Sequence, residues 1–266
     1  MQQKTCIEVR DLDYTIDSVS ILQKIRLEVR KGEFVGVVGP NGSGKTTLLK
    51  NIYRVYQPTH GTVLIDGMDI QKMKPRETAR KMSVLAQEMK AEVDFSVMEV
   101  VKMGRYAHRH FMENKTEEDE QICRQALADV GAEKLSSRSF YSLSGGEKQR
   151  VLLASAFAQQ AKIILLDEPT NHLDVGHQFQ IMDLVRRRKD VTIFTSLHDL
   201  NIAARYCDRL IVLEHGNVLT EGTPEEVLTP ELIGRLFSVR VRIEKDEESG
   251  KINVVFLGAL QEKSGS

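Results

Sequence analysis

Phe34-Val-Gly-Val-Val38 runs without a break into Gly39-Pro40-Asn41-Gly42-Ser43-Gly44-Lys45-Thr46-Thr47, and Leu48-Leu-Lys-Asn-Ile-Tyr53 follows. The first five residues read as a buried strand, and the stretch from Thr46 has helical spacing. Strand, glycine-rich loop and helix form the context in which G-x-x-x-x-G-K-[ST] holds the phosphates of a nucleoside triphosphate. Gly39, Gly42 and Gly44 let the backbone curl so that its N–H groups surround phosphate oxygens. Pro40, Asn41 and Ser43 complete the loop. Lys45 adds a point charge toward the β- and γ-phosphates, and the helix beginning at Thr46 points its positive end the same way. The Thr46 hydroxyl is the expected Mg²⁺ ligand, with Thr47 beside it. A glycine turn ahead of a helix matches this string by chance only occasionally.

Downstream, Ile163-Ile-Leu-Leu166 is a short apolar run that suits a buried parallel strand, and it ends in Asp167-Glu168-Pro169. Ligands of open α/β sheets sit at the carboxyl ends of strands, which is where Asp167 stands. A carboxylate there orients water on Mg²⁺, and Glu168 is placed to serve as general base toward an attacking water. Between loop and strand lies Leu143-Ser144-Gly145-Gly146-Glu147. Ser144-x-x-Glu147 is a capping box, predicted to open a helix over 148–159. The Gly145-Gly146 pair is more than a cap requires, since it bares backbone N–H groups at a positive helix end, a second anion site.

Together these strings resemble the ATP-binding-cassette (ABC) ATPases over nearly the whole chain. The resemblance implies an α/β fold of the P-loop NTPase class. Its mixed-sheet RecA-like core would carry an antiparallel β subdomain, an inserted helical subdomain and a C-terminal β-hairpin. It also implies two cassettes sandwiching two ATP molecules, each between one phosphate loop and the other subunit's Ser144-Gly145-Gly146-Glu147 signature. Glu147 stands where the family often has Gln. By the same resemblance Gln87, after the strand Met82–Ala86, is the Q-loop glutamine that contacts Mg²⁺. Asn171-His-Leu-Asp174 is the D-loop, with Asp174 reaching across the dimer. His198 is the switch histidine at the γ-phosphate, and Tyr14 is the aromatic that stacks on adenine, though a packing tyrosine on a strand fits nearly as well.

Composition agrees with such a role. The chain has 266 residues, 41% hydrophobic and 28% charged, with a net charge of −1, so nothing draws it electrostatically to nucleic acid. No apolar stretch approaches the roughly 20 residues that span a bilayer, and the first residues carry no apolar signal segment. Cys6, Cys123 and Cys207 are scattered without metal or disulfide spacing, as suits a reducing cytosol. Strands are predicted at 7–9, 25–29, 34–38 and 62–65, with a turn at Asp66-Gly67. Helices dominate from about 88 to 160, and strands return at 163–166, 191–195 and 210–213. Residues 1–238 thus read as one ATPase domain with an insertion at about 88–160, and 239–266 as a hairpin extension around Glu248-Ser-Gly250. His108-x-His110 and the His172 and His177 pair lack the cysteine or carboxylate that would complete a metal set.

Two further strings narrow the resemblance. Val100-Val-Lys-Met-Gly-Arg-Tyr-Ala-His108 and Asp174-Val-Gly-His177-Gln178 are similar to strings of cassettes that serve siderophore, haem and cobalamin importers, with Ala107 replacing the usual proline. The resemblance implies a transport-coupled ATPase using ATP and Mg²⁺, peripheral at the cytoplasmic face of the membrane. Its partners would be a second copy of itself, integral-membrane permease subunits and, indirectly, an extracytoplasmic binding protein that with the permease selects the cargo. A non-transport ABC ATPase acting on ribosomes or DNA, or the cassette of an exporter, are the competing readings.

Overall fold

A computed structural model describes residues 4–86, 94–108 and 117–260. The chain opens with a long hairpin, β1 (Thr5–Ile16) and β2 (Val19–Arg30). Its two-residue turn, Asp17-Ser18, has φ of 47° and 64°, the left-handed pair that matches strand twist in a tight hairpin. The strands run well beyond the expected 7–9 and 25–29, because antiparallel pairing extends past the apolar alternation into exposed residues. β3 (Phe34–Val38) then leads through the glycine loop into α1 (Lys45–Ile52). β4 (His60–Ile65) and β5 (Met68–Asp69) turn at Asp66-Gly67 as expected, and they join the first hairpin in an antiparallel sheet of order β2-β1-β4-β5.

After α2 (Pro75–Lys81) and β6 (Met82–Leu85) the described residues hold the α-helices α3 (Val97–Met103), α4 (Glu117–Asp129) and α5 (Gly145–Ala158). The second half alternates: β7 (Ile163–Asp167), α6 (Val175–Arg186), β8 (Thr192–Ser196), α7 (Leu200–Tyr206), β9 (Arg209–Glu214) and β10 (Asn217–Gly222). α8 (Pro224–Val227) and α9 (Pro230–Phe237) lead to the closing hairpin of β11 (Val239–Lys245) and β12 (Ile252–Ala259). The second sheet has order β10-β9-β3-β8-β7-β6, parallel except at β10.

This sheet divides the interior by simple alternation. Val35, Val37, Leu165, Phe194 and Ile211 face one core, shared with α1 and the antiparallel sheet. Phe34, Val38, Ile164, Leu166, Ile193 and Val212 face the other, shared with α3–α7. Burying one such side chain stabilises the fold by about 1.5–3 kcal/mol, so a one-residue slip of a strand would invert both faces.

The string Gly104-Arg105 locks the helical layer. A Cβ on Gly104 would lie 2.2 Å from the Ser155 carbonyl oxygen, so only glycine allows α3 to approach α5 this closely. The buried Arg105 donates to Asp119 at 2.8 Å, to the Ala158 carbonyl at 2.8 Å and to Gln160 at 2.9 Å. His108 Nε2 meets the Gln159 carbonyl at 2.7 Å. The string that suggested a transporter subgroup thus has a structural task here.

Candidate nucleotide site

The carboxyl edge of the parallel sheet gathers residues far apart in sequence. β8 lies between β3 and β7, pairing Ser196 with Val37 on one side and Asp167 on the other. The glycine loop leaves β3 at this level. Gly39 has φ 152° and a Cβ there would meet the Leu213 carbonyl at 2.1 Å, so both conformation and space require glycine. Gly44, at φ 102°, precedes α1, and its Cα face lies against Leu22 of β2. Asn41, Gly42, Ser43, Gly44, Lys45, Thr46, Thr47, Glu168 and His198 line one cavity of about 410 Å³. That is room enough for a polyphosphate chain among backbone N–H groups and a lysine.

Within it, Lys45 is buried and donates to the carbonyls of Gly39 at 2.8 Å and Pro40 at 3.0 Å. Burial pulls its ammonium below the ordinary range, and the charges of Glu168 and Asp167 oppose that pull. Thr46 Oγ1 donates to Asp167 Oδ1 at 3.1 Å, so a hydroxyl and a carboxylate converge. An all-oxygen set of this kind fits a hard cation such as Mg²⁺. Asp167 is only 2% exposed, and burial raises its carboxyl despite the hydrogen bonds from Ser196 and Thr46.

Glu168 follows in the left-handed region, φ 52°, which turns its side chain away from the path of β7. One carboxylate oxygen, Oε1, is in hydrogen-bond contact with His198 Nε2. The other, Oε2, accepts from Asn171 Nδ2 at 3.1 Å. The carboxylate is therefore held at both oxygens in the wall of this cavity. Ser196 joins the two acids: its Oγ donates to Asp167 Oδ1 at 2.8 Å and accepts the Glu168 N–H at 2.9 Å. The sequence reading gave Ser196 no role and named Asn171 only as the first residue of the D-loop, not as a partner of Glu168. The register of β7 and β8 reveals the first, and the turn after β7 reveals the second.

The signature lies apart from this cavity. Ser144 is extended (φ −63°, ψ 162°) and caps α5, with Ser144 N donating to Glu147 Oε2 at 2.8 Å. That bond leads the causes holding the Glu147 carboxyl below its usual range. The helix begins at Gly145, three residues before the expected 148, because the first-turn N–H groups need no intrahelical partner and glycine there loses none. Gly145 is open to solvent, whereas His177 covers Gly146. Asp174 caps α6, accepting the His177 N–H at 2.9 Å. Tyr14 pairs across the strands with Leu22 and stacks on Tyr56, with ring centroids 5.0 Å apart and planes at 11°. Gln87 lies outside the described residues. Thus Lys45, Thr46, Asp167, Glu168 and His198 meet at one place, while Ser144–Glu147 and Asp174 form a second group.

Comparison with known proteins accords with this geometry. The ABC transporter family matches residues 22–171. The cobalamin import ATP-binding protein BtuD of Halobacterium salinarum is 40% identical over 251 residues, 93% of this chain, although the chain spans only 63% of that relative's length. The ferric enterobactin transport ATP-binding protein FepC of Escherichia coli is 39% identical over 90% of this chain and 89% of its own. Among solved structures, an inward-facing ABC transporter assigned to the metal-chelate type superposes with TM-score 0.83 at 27% identity, covering 96% of this chain and 98% of the other. A dimeric cassette bound to ADP and Pi superposes with TM-score 0.72 at 28% identity, covering 82% and 98%. On matched family, relatives and fold together, this chain belongs to the ABC transporter family as an ATP-binding cassette.

Proposed function

We propose that this chain is the ATP-hydrolysing subunit of an importer for an iron-siderophore, haem or cobalamin cargo. It works as a homodimer docked on permease subunits at the cytoplasmic face of a membrane. The observation that carries the reading is the Glu168 carboxylate, held by Asn171 and His198 above the phosphate loop and joined to Asp167 through Ser196. Relatives that span most of their own length with this chain, among them the enterobactin cassette, support the cargo class. Among the described residues no helix is long and apolar enough to cross a membrane, which suits docking onto a separate permease.

In this mechanism the loop N–H groups and Lys45 bind the phosphates, and Tyr14 stacks on adenine. Thr46 and Asp167, with Gln87, would hold Mg²⁺, which when bound supplies positive charge across the phosphate oxygens. Glu168 takes the proton of the attacking water, and His198 holds that carboxylate while facing the γ-phosphate. Ser144, Gly145 and Gly146 of each subunit close on the nucleotide of the other, with Asp174 reaching across. ATP favours the closed dimer because only there do both surfaces contact it, and hydrolysis removes that difference.

The test uses purified Glu168→Gln protein. The expected result is ATP-dependent dimerisation with turnover slowed at least ~100-fold, and co-purification of a polytopic permease from detergent-solubilised host membranes. A near-normal rate would overturn the assignment of the base. Recovery of ribosomes or DNA-bound factors instead of a permease would overturn the transport reading.

A further inference from the structure

The imidazole of His177 lies between two groups that the proposed dimer presents to its partner. Its Nδ1 edge meets Asp174 Oδ2 at 2.6 Å. Its opposite edge lies on Gly146 so closely that a Cβ there would be 2.5 Å from Cδ2 and 2.9 Å from Nε2. Two amide side chains reinforce the joint. Gln149, one turn along α5, donates to the Pro169 carbonyl at 2.8 Å. Gln178 donates to the Leu173 carbonyl at 3.1 Å. The first turn of α5 is therefore joined to the loop 169–174 at two points, through Gln149 and through the His177 ring, while Gln178 holds the same loop to α6. That same loop carries Asn171, which holds Glu168.

We infer that His177 is a positioning residue that fixes the signature turn relative to the D-loop of its own subunit. Through this contact, ATP held by the partner governs the site on this one. When the partner's nucleotide engages Gly145 and Gly146, the ring transmits their displacement to Asp174 and along the loop to Asn171. Neither half of the ring suffices: the Nδ1 side fixes its orientation, and the Cδ2–Nε2 side carries the contact. The inference rests on the ATP sandwich proposed above.

Three variants separate the halves, each made both in the otherwise native chain and in the Glu168→Gln background. His177→Asn keeps an amide donor for Asp174 and uncovers Gly146. His177→Phe keeps a ring against Gly146 and loses the donor. His177→Ala loses both. The first measurement is the ATP concentration for half-maximal dimerisation in the Glu168→Gln background, by light scattering. The second is the affinity of the monomer for a fluorescent ATP analogue without Mg²⁺. The third is the Hill coefficient of ATP turnover with Glu168 restored. The expected result is a rise of about tenfold in the dimerisation midpoint for every variant, a Hill coefficient moving toward one, and monomer affinity unchanged. Asn and Phe variants that dimerise and turn over like the parent overturn the inference. So does an equal loss of monomer affinity, which marks a fold-wide effect. A Glu168→Gln parent that stays monomeric with ATP overturns the sandwich itself and the inference with it, so the two failures are distinct.

Discussion

Replacing Ser196 with alanine tests the corner on which the candidate site is built. The hydroxyl is fully buried and makes two bonds, donating to Asp167 Oδ1 at 2.8 Å and accepting the Glu168 N–H at 2.9 Å. A hydrogen bond to a charged group contributes about 1.5–3 kcal/mol, and a buried donor left unpaired costs about 1–3 kcal/mol. The two effects share a site and do not add fully, so the expected loss is about 3 kcal/mol. For a chain of this size each kcal/mol moves the melting temperature by roughly 2–4 °C, which gives a fall of roughly 6–12 °C. Differential scanning calorimetry of nucleotide-free protein measures it. The charge of Asp167 is part of the reasoning, so the same substitution in an Asp167→Asn background is expected to cost at least ~1 kcal/mol less. A fall below 2 °C, or an equal cost in both backgrounds, would refute the account of Ser196 as the link between the acids.

Other substitutions follow from the same geometry. Burial raises the Asp167 carboxyl. The contribution of this group to stability is thus full below its unfolded pKa and is lost as pH rises through the folded one. Asp167→Asn removes that loss and should raise the melting temperature of the nucleotide-free protein at neutral pH in differential scanning calorimetry; a fall would contradict the burial argument. Arg105→Ala takes the guanidinium from the buried Asp119 and should cost about 3–5 kcal/mol in urea denaturation, whereas Arg105→Met with Asp119→Leu recovers most of it. Tyr14→Ala should weaken ATP binding about tenfold or more in a fluorescence titration, with Tyr14→Phe neutral; unchanged binding would return Tyr14 to strand packing against Tyr56.

The sequence alone determined the local devices. Gly39-x-x-x-x-Gly44-Lys45 names a phosphate loop because only glycine takes the required backbone angles, and Ser144-x-x-Glu147 names a helix start because each side chain satisfies the other's backbone. The family and fold class followed from their order along the chain, since both depend on short-range spacing. Tertiary structure decided what meets what. Ser196 stands beside Asp167 through the order and register of three parallel strands. Asn171 reaches Glu168 because that residue turns into the left-handed region. His177, read from the sequence as part of the Asp174–Gln178 string and not as a metal ligand, proves to cover Gly146 through the packing of α6 on α5. The difference is one of range. A turn or a cap is settled within four or five residues, whereas a side chain's partner across a sheet or between helices depends on contacts that no local pattern encodes.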